Sequence, residues 1–512
     1  MNKFRNLISA IENYKLITCF ILVLSLIFLR IFFEGILEGT HSIGYSDFSY
    51  RAMLMYFVHF PLFYLTTFLF IVIAISLFLN DNIIRVTKIA SIGVVLIIFV
   101  PIIDNILCGG CFITYPSRLE KYFLHFLNPF ASLLDIGVST GQRIIIILIS
   151  FLAGLYGYAQ SKKFLNGIAI FFIVLLIILF LGALTTLIAM NRPEEIYITG
   201  GILNTDTQKF SAIYLFLFII VFFVYLYLLN KKDFYQLISS MRVERMAFYG
   251  GAGLSGFLLA MHQSGLIYDY DLFNFLGVLF IFFCPALGFW VLQILNDFFD
   301  LKIDAKSKQR NPLLKGIRRT YYFFSGFIIF LVVMSMALIL NYQAFLIMFT
   351  FFLLGILYSV PPIRLKRFPF ISTFILSVAV ILSICLGYSI IYFEKSFQQI
   401  PNFLFFALLS GITIGFSAKD INDVEGDRKN GIITLPLLFY KKENLLGRLP
   451  FSLILGSSFI LIGIFMPEVW VGSFIAFLTI FFYTLLNKKP KEWFYFLILY
   501  IFGAYLLLSL LF

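Results

Sequence analysis

Apolar stretches of roughly twenty residues, broken by short polar connections, recur along the whole chain. In the first half they lie near 14–34, 53–79, 87–107, 142–160, 164–190 and 210–229. In the second they lie near 246–266, 273–295, 321–340, 343–359, 370–392, 402–418, 449–466, 469–487 and 493–511. A helix of about twenty residues crosses a bilayer core of about 30 Å, and in lipid it satisfies its own backbone. The pattern predicts an all-α, polytopic membrane protein with about fifteen spans, built from helices and not a barrel.

The polar positions between the spans set an orientation. In the first half Lys3, Arg5, Lys15, Arg85, Lys88, Lys162, Lys163, Lys231 and Lys232 all fall on one side, which is predicted to be cytoplasmic. In the second half bases crowd the loops after the second, fourth, sixth and eighth helices, while the opposite loops hold only Lys395. The stretch NKKDFYQLISSMRVER, residues 230–245, is the most polar break between the two apolar halves. It divides the chain into an N-terminal membrane domain of about six helices (1–235) and a second domain of nine (236–512).

Composition agrees with this picture and excludes a soluble fold. Hydrophobic residues make up 61% and charged residues 12%, with 67 Phe, 28 Tyr and a mean hydropathy of +0.99. The net charge of +12 sits in short loops, which points to anionic headgroups or a phosphorylated substrate and away from nucleic acid. The apolar segment from Ile17 to Phe33 lacks a small-residue cleavage site, so it is expected to stay as a membrane helix. Among five cysteines only Cys108 and Cys111, in CGGC, form a pair; a local disulfide is permissible there, whereas a zinc site lacks ligands. Cys19, Cys284 and Cys385 read as buried thiols. The loop from Cys108 to Ile144 is long, and its segment YFLHFLNPFASLLDIG is predicted to lie as an amphipathic helix in the interface. His41, His59, His125 and His262 share no spacing and are assigned no role.

Chemistry concentrates in two stretches. NDFFDLKID, Asn296 to Asp304, closes a long apolar run and places Asp297, Asp300 and Asp304 on one helical face within about 60°, so one cation can be shared among them. KDINDVEGD, Lys419 to Asp427, repeats the three-and-seven spacing with Asp420, Asp423 and Asp427. Both follow an apolar helix and both fall on the predicted cytoplasmic side, where they can converge. Six aspartates with Asn296 and Asn422 make an all-oxygen environment without thiolate or imidazole, which suits Mg²⁺ shared with substrate phosphates. Arg364, Lys366, Lys419 and Arg310 stand ready to meet the remaining phosphate oxygens. Single carboxylate clusters at membrane boundaries are commonly solvated helix stops; two copies of one spacing on one side argue otherwise.

At these residues the chain resembles the UbiA-type intramembrane prenyltransferases. NDFFDLKID is similar to the family's first aspartate motif, KDINDVEGDRKNGIITLP to its second, and LYSVPPIRLKR, Leu357 to Arg367, to its tyrosine and double-proline segment. The resemblance covers about residues 240–512 and includes the nine-helix count. It implies transfer of an isoprenoid chain from a prenyl diphosphate to an acceptor in a lipid-accessible cavity, with diphosphate released and with roles by position: Asp297, Asp300, Asp304, Asp420, Asp423 and Asp427 as ligands of Mg²⁺, two ions being expected.

Among these, Asp297, Asp300, Asp420 and Asp423 are the expected catalytic carboxylates, with Tyr358 as a cation-facing group. Asn296, Arg310, Arg364, Lys366 and Lys419 are expected to bind the substrate. The chain departs from the family after the first motif, where it reads QRNPLLKG from Gln309 to Gly316, and this leaves glycerol-phosphate lipids, pigment precursors and aromatic acids open as acceptors. Residues 1–235 show no comparable motif; added membrane scaffold is the expected role, and a second module acting on the product or docking a protein partner is the other. A lipid or ion-coupled carrier is the competing class for the whole chain, and the position of the acids at helix ends, not mid-span, counts against it. The topology predicts that an impermeant thiol reagent added outside labels reduced Cys108 and Cys111 and spares Cys284; mass spectrometry of the labelled peptides reads this directly, and labelling of Cys284 would refute the orientation.

Overall fold

A computed structural model describes residues 14–37, 49–109, 119–127, 138–197, 200–307, 311–393, 395–421, 424, 428 and 433–511. The described residues form helices and no strand, and fourteen of the helices are long and apolar enough to cross a membrane. Packing divides the chain into two compact units, Met1–Lys231 with Asp271–Phe273, and Lys232–Tyr270 with Asn274–Phe512.

The first unit holds six long helices: α1 (Leu16–Leu37), α2 (Tyr50–Leu79), α3 (Ile83–Leu107), α4 (Thr140–Ser161), α5 (Phe164–Asn191) and α6 (Asp206–Leu229). Ser139 starts α4 and Thr205 starts α6, each through a reciprocal capping box with a glutamine three residues on. Charge inside this unit is paired. Arg30 and Glu34, one turn apart on α1, are buried together as an ion pair, and the Arg30 guanidinium lies 5.2 Å from the centre of the Tyr64 ring. Asp104 on α3 is fully buried and accepts hydrogen bonds from Ser139 Oγ at 2.5 Å and the Gly141 amide at 2.6 Å, which ties α3 to the start of α4. Of the expected interfacial segment, Leu119–Leu127 is helical and residues 128–137 lie outside the described residues, as does the Cys108–Cys111 pairing. Cys19, Cys284 and Cys385 are buried free thiols.

The second unit contains, among the described residues, α7 (Val243–Ser264), α8 (Leu272–Ser307), α9 (Arg319–Leu340), α10 (Tyr342–Ser359), α11 (Ile371–Ile391), α12 (Asn402–Gly415, extended by a 3₁₀ turn to Asp420), α13 (Leu445–Phe465), α14 (Trp470–Leu486) and α15 (Glu492–Leu511). The fifteenth predicted span is α7, which is 22 residues long but is not among the fourteen helices apolar enough to qualify by composition. Its ends are polar, with Glu244 and Arg245 at one and His262 and Gln263 at the other, and four glycines lie between them. A Cβ on Gly256 would stand 2.2 Å from the Ile384 carbonyl oxygen, and one on Gly387 would stand 2.2 Å from that of Gly253. Backbone therefore meets backbone between α7 and α11, as small residues permit in lipid.

At 36 residues, α8 is about 54 Å long, well beyond the roughly 30 Å apolar layer. Its excess carries Asp297, Asp300 and Asp304 to one end of the bundle. Asn341 and Asn444 cap α10 and α13 with their side-chain oxygens. Gly256→Ala is expected to force α7 from α11 and to destabilise the protein by about 1–3 kcal/mol, read as a lower unfolding midpoint in detergent; an unchanged midpoint would contradict the close approach.

Candidate active site

The aspartates of α8 meet residues from three other segments at one end of the second unit. Asp297, Asp300 and Asp304 are all buried, with 2%, 8% and 7% of their surface exposed. Each has a different partner. Asp297 Oδ2 accepts from the Tyr322 phenol at the start of α9, at 2.7 Å. Asp304 Oδ2 accepts from Asn311 Nδ2 at 2.8 Å, and the same amide nitrogen donates to the Asp297 carbonyl at 2.8 Å. Asp300 carries two cations: Arg364 on Oδ1 and Lys366 on Oδ2. Asn296 Nδ2 donates to Asp300 Oδ2 at 2.8 Å, while its Oδ1 accepts from Lys366 Nζ at 2.7 Å and Ser359 Oγ at 3.0 Å.

Arg364 and Lys366 come from the connection between α10 and α11. Arg364 has φ of +45°, a left-handed conformation uncommon outside glycine, and it opens the 3₁₀ turn Leu365–Arg367. Its Nε is buried with no hydrogen-bond partner among the described residues. Burial pulls the Lys366 ammonium below its ordinary pKa and the Asp300 carboxylate opposes that pull. Burial likewise raises the Asp304 carboxyl, and the Asn311 hydrogen bond counters it.

The second stretch reaches the same end. Lys419, on the turn that extends α12, donates to the Tyr358 hydroxyl at 2.7 Å, and its Nζ stands 5.2 Å from the centre of that ring. Asp420 Oδ1 is 3.9 Å from Lys419 Nζ. Tyr358 is the neighbour of Ser359, which binds Asn296, so the two motifs are joined through the end of α10. Arg245 at the start of α7 pairs with Glu492 at the start of α15. Lys419 and Glu492 are the charged residues lining a half-open cavity whose other walls include Phe416, Phe459, Ile462, Ile480, Phe496 and Leu499.

Arg310, Asn422, Asp423 and Asp427 lie outside the described residues. The three α8 aspartates do not close around a single ion: among the described residues no group of three acidic, histidine or cysteine side chains is placed to hold one. Steps of three and seven share a face, but they also climb about 4.5 and 10.5 Å along the axis, and Asp300 is turned to its two bases. The donors that are present, carboxylates and amide oxygens, fit a hard divalent cation that takes one or two carboxylates and completes its shell with water and phosphate. Asn311, Tyr322, Ser359, Arg245 and Glu492 had no assigned role in the sequence reading. Their signal was a polar side chain at the aspartate-bearing end of a span, which is too common to single out one residue.

Residues 252–503 match the UbiA prenyltransferase family. This half of the chain belongs to that family. The UbiA region is similar to the digeranylgeranylglyceryl phosphate synthase of Thermococcus gammatolerans, 29% identical over 194 residues that cover 38% of this chain and 66% of the relative. It is also similar to the chloroplastic 2-acyl-4-prenylphloroglucinol 6-prenyltransferase of Humulus lupulus, 30% identical over 192 residues, 35% of this chain and 46% of the relative. The chain thus matches less than two thirds of the length of either. Among solved structures, a UbiA homolog from Archaeoglobus fulgidus bound to DMAPP and Mg²⁺ aligns with a TM-score of 0.39 and 18% identity over 53% of this chain and 97% of that one. The UbiA match leaves residues 1–251 outside it.

Tyr322→Phe removes the phenol from a buried carboxylate and is expected to destabilise the UbiA unit by about 1–3 kcal/mol. Thermal unfolding of the purified protein in detergent measures this, and stability equal to the parent would show that the bond contributes nothing.

Proposed function

We propose that the UbiA unit transfers an isoprenoid chain from a prenyl diphosphate to an acceptor within the membrane and releases diphosphate. The observation that carries this reading is the closing of Arg364 and Lys366 on Asp300, between Asp297 and Asp304 on α8, with Lys419 bonded to Tyr358 at the adjoining end of α10 and lining a cavity walled mainly by apolar side chains. Bases opposite carboxylates suit a diphosphate held with a divalent cation, and an apolar cavity suits the hydrocarbon it carries.

Mg²⁺ is the cation proposed. Asp297, Asp304 and Asp420, with Asp300, Asp423 and Asp427, would hold it, and two ions are proposed. When bound, it neutralises charge on the diphosphate leaving group. The protein's own groups do the rest. Arg364, Lys366 and Lys419 bind phosphate oxygens, Tyr358 holds the Lys419 ammonium and turns its ring toward positive charge, and Phe and Ile walls keep water from the allylic cation once the C–O bond opens. Arg310 is proposed as a further phosphate contact.

A glycerol-phosphate lipid is the acceptor proposed first, because the relative from Thermococcus gammatolerans is named for a glyceryl phosphate product; an aromatic acceptor is the second reading, supported by the relative from Humulus lupulus. The excess of bases in the loops at this end supports a cytoplasmic site in a multi-pass cell-membrane protein. For residues 1–235 we propose a scaffold of six spans.

The test is mass spectrometry of products after purified protein is incubated with geranylgeranyl diphosphate and a panel of glycerol-phosphate and aromatic acceptors. Prenylated product and free diphosphate are expected with Mg²⁺ and neither after chelation by EDTA. Asp297→Ala with Asp420→Ala is expected to lower turnover by at least about a hundredfold. Retained turnover in that variant would refute the site, and movement of lipid without diphosphate release would favour a carrier.

A further inference from the structure

Asp300 is the aspartate whose two oxygens are both engaged by cations, Arg364 on Oδ1 and Lys366 on Oδ2, with Asn296 adding a third hydrogen bond at 2.8 Å. Its neighbours on α8 are held differently, Asp297 by the Tyr322 phenol and Asp304 by the Asn311 amide. A carboxylate offers about four lone-pair sites, and three of those on Asp300 are used. A divalent cation cannot reach Asp300 closely while two positive side chains lie against it. These two side chains are also the bases placed to meet a diphosphate, and the buried Arg364 Nε has no partner among the described residues. The guanidinium fork therefore has donor capacity that Asp300 does not use.

We infer that Arg364 and Lys366 are exchange residues: they hold Asp300 when the site is empty, and move to the phosphate oxygens when a diphosphate arrives, which frees Asp300 for a divalent cation. The inference rests on the prenyl-diphosphate reading above and adds an order to it. The same charges are paired before and after, so no unpaired carboxylate is buried at either stage. Metal and diphosphate then bind with positive coupling, which is reciprocal: each tightens the other by the same factor, typically about 5- to 150-fold for coupled sites.

The test uses the purified full-length protein, Mn²⁺ as the metal probe followed by its paramagnetic resonance signal, and methylenediphosphonate as the diphosphate, with complexation in buffer measured separately. In the parent protein, diphosphonate is expected to tighten Mn²⁺ binding by about fivefold or more. In Arg364→Gln with Lys366→Gln, Mn²⁺ alone is expected to bind about fivefold tighter than to the parent, and diphosphonate is expected to tighten it no further. Lys302→Gln with Arg367→Gln removes two nearby charges that are not on Asp300, and is expected to leave Mn²⁺ binding within about twofold of the parent. If the double variant does not purify as a monodisperse species, Lys366→Gln alone is read in the same way. Binding of both ligands without coupling, or an equal gain in the Lys302 and Arg367 control, would overturn the exchange and leave the functional reading standing. Failure of the parent to bind either ligand would overturn both.

Discussion

Charge placed at the edge of an apolar bundle has to be paired, and the second unit is arranged around that need. Asp297, Asp300 and Asp304 are each less than a tenth exposed, in a region where an unpaired carboxylate costs on the order of several kcal/mol. Each is met by a donor from a different segment: Tyr322 from α9, Asn311 from the α8–α9 connection, and Arg364 and Lys366 from the α10–α11 connection. The carboxylates thereby fix where these segments end. The close approach of α7 and α11 at Gly253, Gly256 and Gly387 relies instead on small residues and uses no polar side chain.

The two units solve the same problem to different effect. In the first, the Arg30–Glu34 pair and the Asp104 contacts with Ser139 and Gly141 are sealed within helices and at a helix start. In the second, the paired groups gather at one helix end, with Lys419 and Glu492 facing an apolar cavity. A charge pair enclosed on every side contributes architecture. The Arg364 and Lys366 pairs with Asp300 instead join a helix end to a loop, where partners can be exchanged with a ligand, and this difference is why chemistry is assigned to the UbiA unit.

The aspartate spacing was legible because helical period is a local property of the backbone. Its limit was equally local: the period placed three side chains on one face and suggested one shared ion, but the rise along α8 spreads them over about 10 Å. Asn311 shows a different limit. It lies in QRNPLLKG, where the family pattern lapses, and nothing local indicates that its amide bonds Asp304 and the Asp297 carbonyl. Tyr322 looked like one of 28 tyrosines, and nothing in its neighbours distinguished it.

By itself the sequence determined that this chain is helical and lives in lipid, where its spans lie, and which residue types could meet a diphosphate, because hydropathy, helical period and loop charge all act over one or two turns. The tertiary structure decided the pairings. Lys366 reaches Asn296 from 70 residues away and Lys419 reaches Tyr358 from 61, distances over which no local preference operates. Only packing could choose among 38 basic residues the two that close on Asp300.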